Sequence, residues 1–149
     1  MQLKDYLDKD LILPDLASQN KSSVLQELLF PLGGTHPELD LVKAHTILME
    51  RENLGSTGIG DGVAIPHGKM DALSDIVLIV GRSLAGVEFA ALDKSVCHIF
   101  FLVLAPEQVA GLHLRILAQI SKILKDPSFR QSFMQSNGQS DLWKLLQSV

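Results

Sequence analysis

A chain of 149 residues, 46% of them hydrophobic and 20% charged, has the size and apolar content of one core, since about 150 residues bury roughly two thirds of the surface the unfolded chain exposes. A net charge of −4 provides no basic field for nucleic acid or an anionic membrane, so small molecules and proteins are the expected partners. The N-terminus carries no basic-plus-apolar leader, no apolar stretch approaches the roughly 18 residues of a membrane span, and the single cysteine, Cys97, sits in an apolar run where no internal disulfide is possible. These features predict a cytoplasmic protein with Cys97 in the core.

In chain order, Leu3 to Leu7 is expected to form a short helical turn leading to Leu11-Ile12-Leu13, punctuated by Pro14. Asn20 can cap a first helix with an apolar stripe of Val24, Leu25, Leu28 and Leu29, stopped by Pro31 and Gly33-Gly34. A longer helix is predicted from about Pro37 to Asn53, with Pro in its first turn, Glu38 and Asp40 near its positive end, and Leu41, Val42, Ala44, Ile47 and Leu48 inward. Gly55 ends it and opens a glycine-rich run, to Gly68, that reads as a loop.

Strands follow at Ile76 to Val80, Val87 to Phe89 and Val96 to Leu104, and their apolar continuity predicts a sheet covered on both faces. Gly111 to Lys125 reads as a buried helix closed by Asp126-Pro127. Two short helices are expected near Pro127 to Gln135 and Ser140 to Gln147, separated by Gly138, the second capped by Ser140 or Asp141. With no repeat and no dividing linker, residues 1–149 are read as a single domain, an α/β sandwich.

The chemistry concentrates on one histidine. His67 lies between Pro66, which fixes its own φ and pushes its neighbour toward extended geometry, and Gly68, which removes bulk beside the imidazole. Neutral imidazole is a nucleophile near pH 7, its unperturbed pKa being about 6.5. The amides of the surrounding glycines offer a cradle for an anion such as a phosphoryl group. His113, at the positive end of the predicted Gly111 to Lys125 helix and on the edge of its apolar stripe, is the second candidate. Read alone it is more simply a solvated histidine or one satisfied in the core.

Arg51, in the last turn before the glycines, either reaches an anion at the mouth of the loop or complements the helix dipole beside Glu50 and Glu52. Ser56 and Thr57 are placed either to bind the same anion or to build the turn, and Asp61 reads as turn chemistry. Ile59, Val63 and Ile65 are core residues or part of a docking rim. His36, His45 and His98 fall where uninvolved histidines fall: before a proline, mid-helix and within a strand.

Other glycine-loop chemistries fail on context. A dinucleotide fingerprint needs a strand before it and a helix after it, and a nucleotide-phosphate loop needs Ser or Thr after Gly-Lys where this chain has Met70. No ligand spacing for zinc and no G-x-S-x-G elbow is present.

Arg51-Glu52, the run Gly55-Ser56-Thr57-Gly58-Ile59-Gly60, Val63-Ala64-Ile65-Pro66-His67-Gly68, Ala105-Pro106 and Gly111-Leu112-His113-Leu114 together resemble the fructose/mannitol class (type 2) of enzyme IIA of the bacterial phosphotransferase system. The likeness extends through Leu117-Ala118 and the region from Phe129 to Leu146, and the wording of the glycine run is most similar to the nitrogen-regulatory branch. The resemblance implies a mixed sheet with helices on both sides. It implies that His67 takes a phosphoryl group from the phosphohistidine of HPr or a nitrogen-type HPr, with His113 and Arg51 stabilising the charge. Beside this, Ser56, Thr57 and Gly68 are the candidate phosphoryl-binding residues from their own place in the run.

No metal or organic cofactor is expected, because the donor already carries a high-energy phosphoramidate and catalysis reduces to in-line positioning and charge stabilisation. The phosphoryl group then passes to a cysteine of a IIB domain in fructose/mannitol-type uptake, or stays as a signal read by a regulated target protein. A third reading, a binding module that is never phosphorylated, is opposed by the intact loop, His67 and His113.

Overall fold

The computed structural model describes residues 2–149. In chain order it contains β1 (Ile12–Leu13), α1 (Lys21–Leu29), α2 (Leu32–Thr35), α3 (Leu41–Asn53), β2 (Gly58–Gly60), β3 (Val63–Ala64), β4 (His67–Lys69), β5 (Val77–Val87), β6 (Cys97–Ala105), α4 (Ala110–Leu124), α5 (Pro127–Gln135) and α6 (Gly138–Gln147), with 3-10 turns at Leu3–Tyr6, Lys9–Leu11 and Glu107–Val109.

The pivot is β6. Successive side chains of a strand point to opposite faces, and here both sets are apolar: Phe100, Leu102 and Leu104 join one buried cluster with Val24, Leu25, Leu28, Ala44 and Leu48. Ile99, Phe101, Val103 and Ala105 join another with Ile116, Ile120, Phe133, Leu142 and Leu146. Helices α1 and α3 therefore cover one face of the sheet and α4, α5 and α6 the other, as apolar continuity of the strand requires.

The six-stranded sheet runs β1-β5-β6-β3-β2. The β5–β6 pair is antiparallel, and on the other edge of β6 lie first β3 and then β4, both parallel to it, with Val63 opposite Ile99 and His67 opposite Val103. Between them stands Pro66, which has no N–H to give the ladder but whose carbonyl accepts from the Val103 amide at 2.9 Å. A short sheet edge interrupted by proline thus delivers His67 to the C-terminal end of β6.

Several boundaries differ from expectation, each for a local reason. The glycine-rich run is not a plain loop: it carries β2, β3 and the start of β4. The two strands expected at Ile76 to Val80 and Val87 to Phe89 are one strand, β5, with a register irregularity between Arg82 and Val87. The helix expected from Pro37 begins at Leu41, because the Asp40 carboxylate accepts from the Lys43 amide at 3.1 Å and caps it there. Pro31 does not stop the chain from coiling, since Leu32–Thr35 makes one further turn. The last helix starts at Gly138, so Ser140 and Asp141 lie inside it; the Asp141 carboxylate reaches back to accept from the Asn137 amide at 3.1 Å. Asn20 caps α1 as read, accepting from the Ser23 amide at 3.0 Å. No helix among the described residues is long and apolar enough to cross a membrane.

Candidate functional site

His67 is the first residue of β4 and is half-buried. Its Nδ1 lies 2.9 Å from the Ile65 carbonyl oxygen. A carbonyl only accepts, so Nδ1 carries the proton and the lone pair of the neutral ring is on Nε2. The Ile65-Pro66-His67 bend therefore fixes both the orientation and the tautomer of the imidazole.

His113 enters from the first turn of α4. The two imidazole rings stand nearly perpendicular, at 79°, with centroids 5.8 Å apart. His113 is 5% exposed, and its Nε2 is buried with no hydrogen-bond partner among the described residues. Burial, and then the positive charges that His67 and Lys69 can carry, hold its pKa below the usual imidazole value. Buried polar atoms are as a rule hydrogen-bonded, which sets this one apart among the side chains around His67.

Arg51 comes from the last turn of α3, where its Nη1 donates to the Gly55 carbonyl at 2.8 Å. This is the dipole-complementing arrangement expected at a helix C-terminus, and it leaves the guanidinium on the wall of the same depression as the two histidines. The depression encloses about 570 Å³ and is lined by Ile47, Glu50, Arg51, Leu54, His67, Gly68, Lys69 and His113. Gly68 is what lets α3 come so close: a Cβ there would lie 2.7 Å from Ile47 Cγ2.

Ser56 and Thr57 are placed differently from His67, Arg51, His113 and Gly68. Ser56 Oγ donates to the Phe89 carbonyl at 3.3 Å and accepts from the Gly58 amide at 3.0 Å. Thr57 is buried, its hydroxyl donating to Glu52 Oε2 and its amide to Glu52 Oε1. Glu52, in turn, is paired with Lys21 at 3.1 Å. Neither Ser56 nor Thr57 lines the depression; both hold the chain between α3 and β2. The amides of Gly55 and Gly58 are likewise spent, on the Glu52 carbonyl and Ser56 Oγ. The depression is thus walled by cationic and imidazole side chains rather than by the amides of these two glycines.

Asp61 sits at φ 58° beside Gly62 at φ 76°, a left-handed turn, and its amide donates to Asp93 Oδ2 at 3.1 Å. Val63 and Ile65 are core residues at 1% and 6% exposure, whereas Ile59 is 47% exposed. The rings of His36, His45 and His98 are bonded to Thr35, Ser22 and Ser83, away from the depression. Cys97 is buried, and desolvation pushes its thiol up to about 12, which makes it chemically inert.

Lys69 is the wall residue that sequence reasoning missed. Its signal was the period of two in an extended segment, which puts residue 69 on the same side as residue 67.

The comparisons with known proteins agree with this architecture. The nitrogen regulatory protein of Bradyrhizobium diazoefficiens is 32% identical over 146 residues, 98% of this chain and 95% of that one. The fructose-specific EIIABC component of Bacillus subtilis is 29% identical over 139 residues, 93% of this chain and 22% of that longer protein. The crystal structure of nitrogen regulatory protein IIA-Ntr from Neisseria meningitidis superposes with a TM-score of 0.89 at 28% identity, covering 97% of this chain and 98% of that one. The family model for the phosphoenolpyruvate-dependent sugar phosphotransferase system, EIIA 2, matches residues 5–149, and the chain, with its paired imidazoles at the edge of a mixed sheet, belongs to that family.

Proposed function

We propose that His67 is a transient phosphoryl carrier. The observation that carries this reading is the hydrogen bond from Nδ1 to the Ile65 carbonyl, which leaves Nε2 bare on the wall of a depression shared with His113 and Arg51. In the transfer step the Nε2 lone pair attacks the phosphorus of an HPr-type phosphohistidine. The new P–N bond forms as the donor's P–N bond breaks, and the electron pair returns to the donor imidazole. Nδ1 keeps its proton throughout, so the ring becomes an imidazolium whose charge is shared with the Ile65 carbonyl.

Arg51 then offers guanidinium N–H groups to the phosphoryl oxygens without leaving its helix. A neutral His113 donates its buried Nε2–H to the same oxygens, and its orphaned atom is thereby satisfied. Gly68 gives the close helix approach, while Ser56 and Thr57 hold the turn that carries the Gly55 carbonyl.

The output we favour is regulatory, with the phosphoryl group read by a partner protein. Likeness to nitrogen regulatory proteins over nearly their whole length supports it. The second reading, passage to a cysteine of a IIB protein in sugar uptake, is supported by the likeness to the fructose EIIABC component. Labelled phospho-HPr-type carrier mixed with the protein and a IIB acceptor separates the two: label is expected to reach His67 and stop there. Onward movement to a IIB cysteine would favour uptake, and full-rate labelling of H67A would refute the carrier role.

A further inference from the structure

Lys69 and Glu107 meet at the rim of the depression. Lys69 Nζ lies 3.8 Å from Glu107 Oε1, and the two side chains are 49% and 66% exposed. Lys69 also lines the depression beside His67 and His113, and its charge contributes to holding His113 neutral. Residues 67 and 69 share one side of β4, about 7 Å apart along the strand, a gap that a lysine side chain spans. Arg51 is already bonded to the Gly55 carbonyl, so Lys69 is the cation of this wall whose present partner is an exposed, easily exchanged carboxylate.

We propose that Lys69 exchanges partners when His67 is phosphorylated: it leaves Glu107 and pairs with the phosphoryl oxygens, so that Glu107 is a competing counter-ion in the unphosphorylated protein and a free carboxylate in the phosphorylated one. This rests on the carrier role of His67 and gives that role a surface readout. A phosphoryl group brings up to two negative charges and three acceptor oxygens, against one charge and a long contact from Glu107. Glu107 opens the 3-10 turn Glu107–Val109 that leads directly into α4. Release of its carboxylate therefore changes the charge pattern of the rim where a partner reading the phosphorylation state would dock. Nothing moves except two side chains, which suits a signal carried by a fold with a rigid sheet behind it.

The test is a double-mutant cycle on the equilibrium for phosphoryl transfer to His67 from labelled phospho-HPr-type carrier. Both positions are solvent-exposed, so E107Q and K69Q are expected to fold as the parent does, checked by melting curves. E107Q is expected to raise the equilibrium constant about 2–5-fold and K69Q to lower it about 5–10-fold, with K69Q/E107Q matching K69Q alone. E50Q, which removes a carboxylate from the lining of the depression that is not ion-paired to Lys69 among the described residues, is expected to act equally with and without Lys69.

Equal effects of E107Q in both backgrounds would overturn the exchange while leaving the carrier role standing. Coupling of E50Q to Lys69 as strong as that of E107Q would overturn it too. A parent protein that takes no label would remove the carrier role and the exchange together.

Discussion

Which ring nitrogen of His67 keeps its lone pair is decided by one backbone carbonyl. Because the Ile65 oxygen holds Nδ1–H at 2.9 Å, the ring cannot present the other tautomer without losing a hydrogen bond in a half-buried setting. His113 is set by burial instead. Its folded-state pKa lies below the ordinary imidazole value, so the unfolded chain takes up the proton more readily. The stability due to neutral His113 is therefore complete above about pH 6.5 and falls as pH drops toward the depressed value. H113N is expected to lose that dependence, so thermal melts at pH 7.5 and 5.5 should differ less in the variant than in the parent. The opposite ordering would mean that His113 is not held neutral.

H113A is expected to slow phosphoryl acceptance about 100–1,000-fold without loss of fold, the scale of one lost charge-stabilising donor, as labelling kinetics with phospho-HPr-type carrier would show. At this scale much was legible: proline and glycine mark His67, and helix position marks His113 and Arg51. Lys69 carries no mark of its own in the sequence, because its meaning depends on β4 being extended, and a glycine-rich run reads as a loop.

Among the elements, α3 matters most for the site, since it supplies Arg51 and packs on β4 through Gly68. G68A would set a methyl group 2.7 Å from Ile47 Cγ2, and is expected to cost about 1–3 kcal/mol by overpacking. The same substitution should slow labelling of His67, because Arg51 moves with its helix. Urea unfolding together with the labelling rate checks both.

T57V is expected to cost about 1–3 kcal/mol, since it leaves a buried Glu52 oxygen without its hydroxyl partner; a stability within error of the parent would contradict this. Element type was readable wherever one face or one period dominated: α1, α3, α4 and β6 all appear close to their expected places. The short strands β2, β3 and β4 were not readable. Two or three residues carry no period, and their conformation is set by partners such as Ile99, Phe100 and Val103, far away in sequence. The same holds for the second half of β5, whose Gly86 at φ 95° resembles a break and is instead an irregularity in a paired strand.

On the scale of the whole molecule, two apolar faces of one strand determine a layered fold, which is why the class could be read from the sequence. What could not be read is how the C-terminal helices are tied down. Arg82, 3% exposed on β5, donates to the carbonyls of Pro14, Phe133, Met134 and Ser136 and has no carboxylate partner among the described residues. It holds the C-terminal end of α5 by its carbonyls, a favourable place for a cation, and links the sheet to both ends of the chain. An arginine in a strand gives no hint of four distant acceptors. R82M is expected to destabilise the fold by about 2–4 kcal/mol by leaving those carbonyls unpaired, measurable by urea unfolding, with little change in His67 labelling, because the tie is made to α5 and the β1 end rather than to the depression.

The choice of nitrogen on His67 is tested most directly by phosphorylating the ¹⁵N-histidine-labelled protein with phospho-HPr-type carrier and recording ¹⁵N and ³¹P NMR spectra. The expected result is phosphorus bonded to Nε2 of His67, with the Nδ1 proton retained on the Ile65 carbonyl. Phosphorus on Nδ1, on His113, or on no histidine would contradict the site as described.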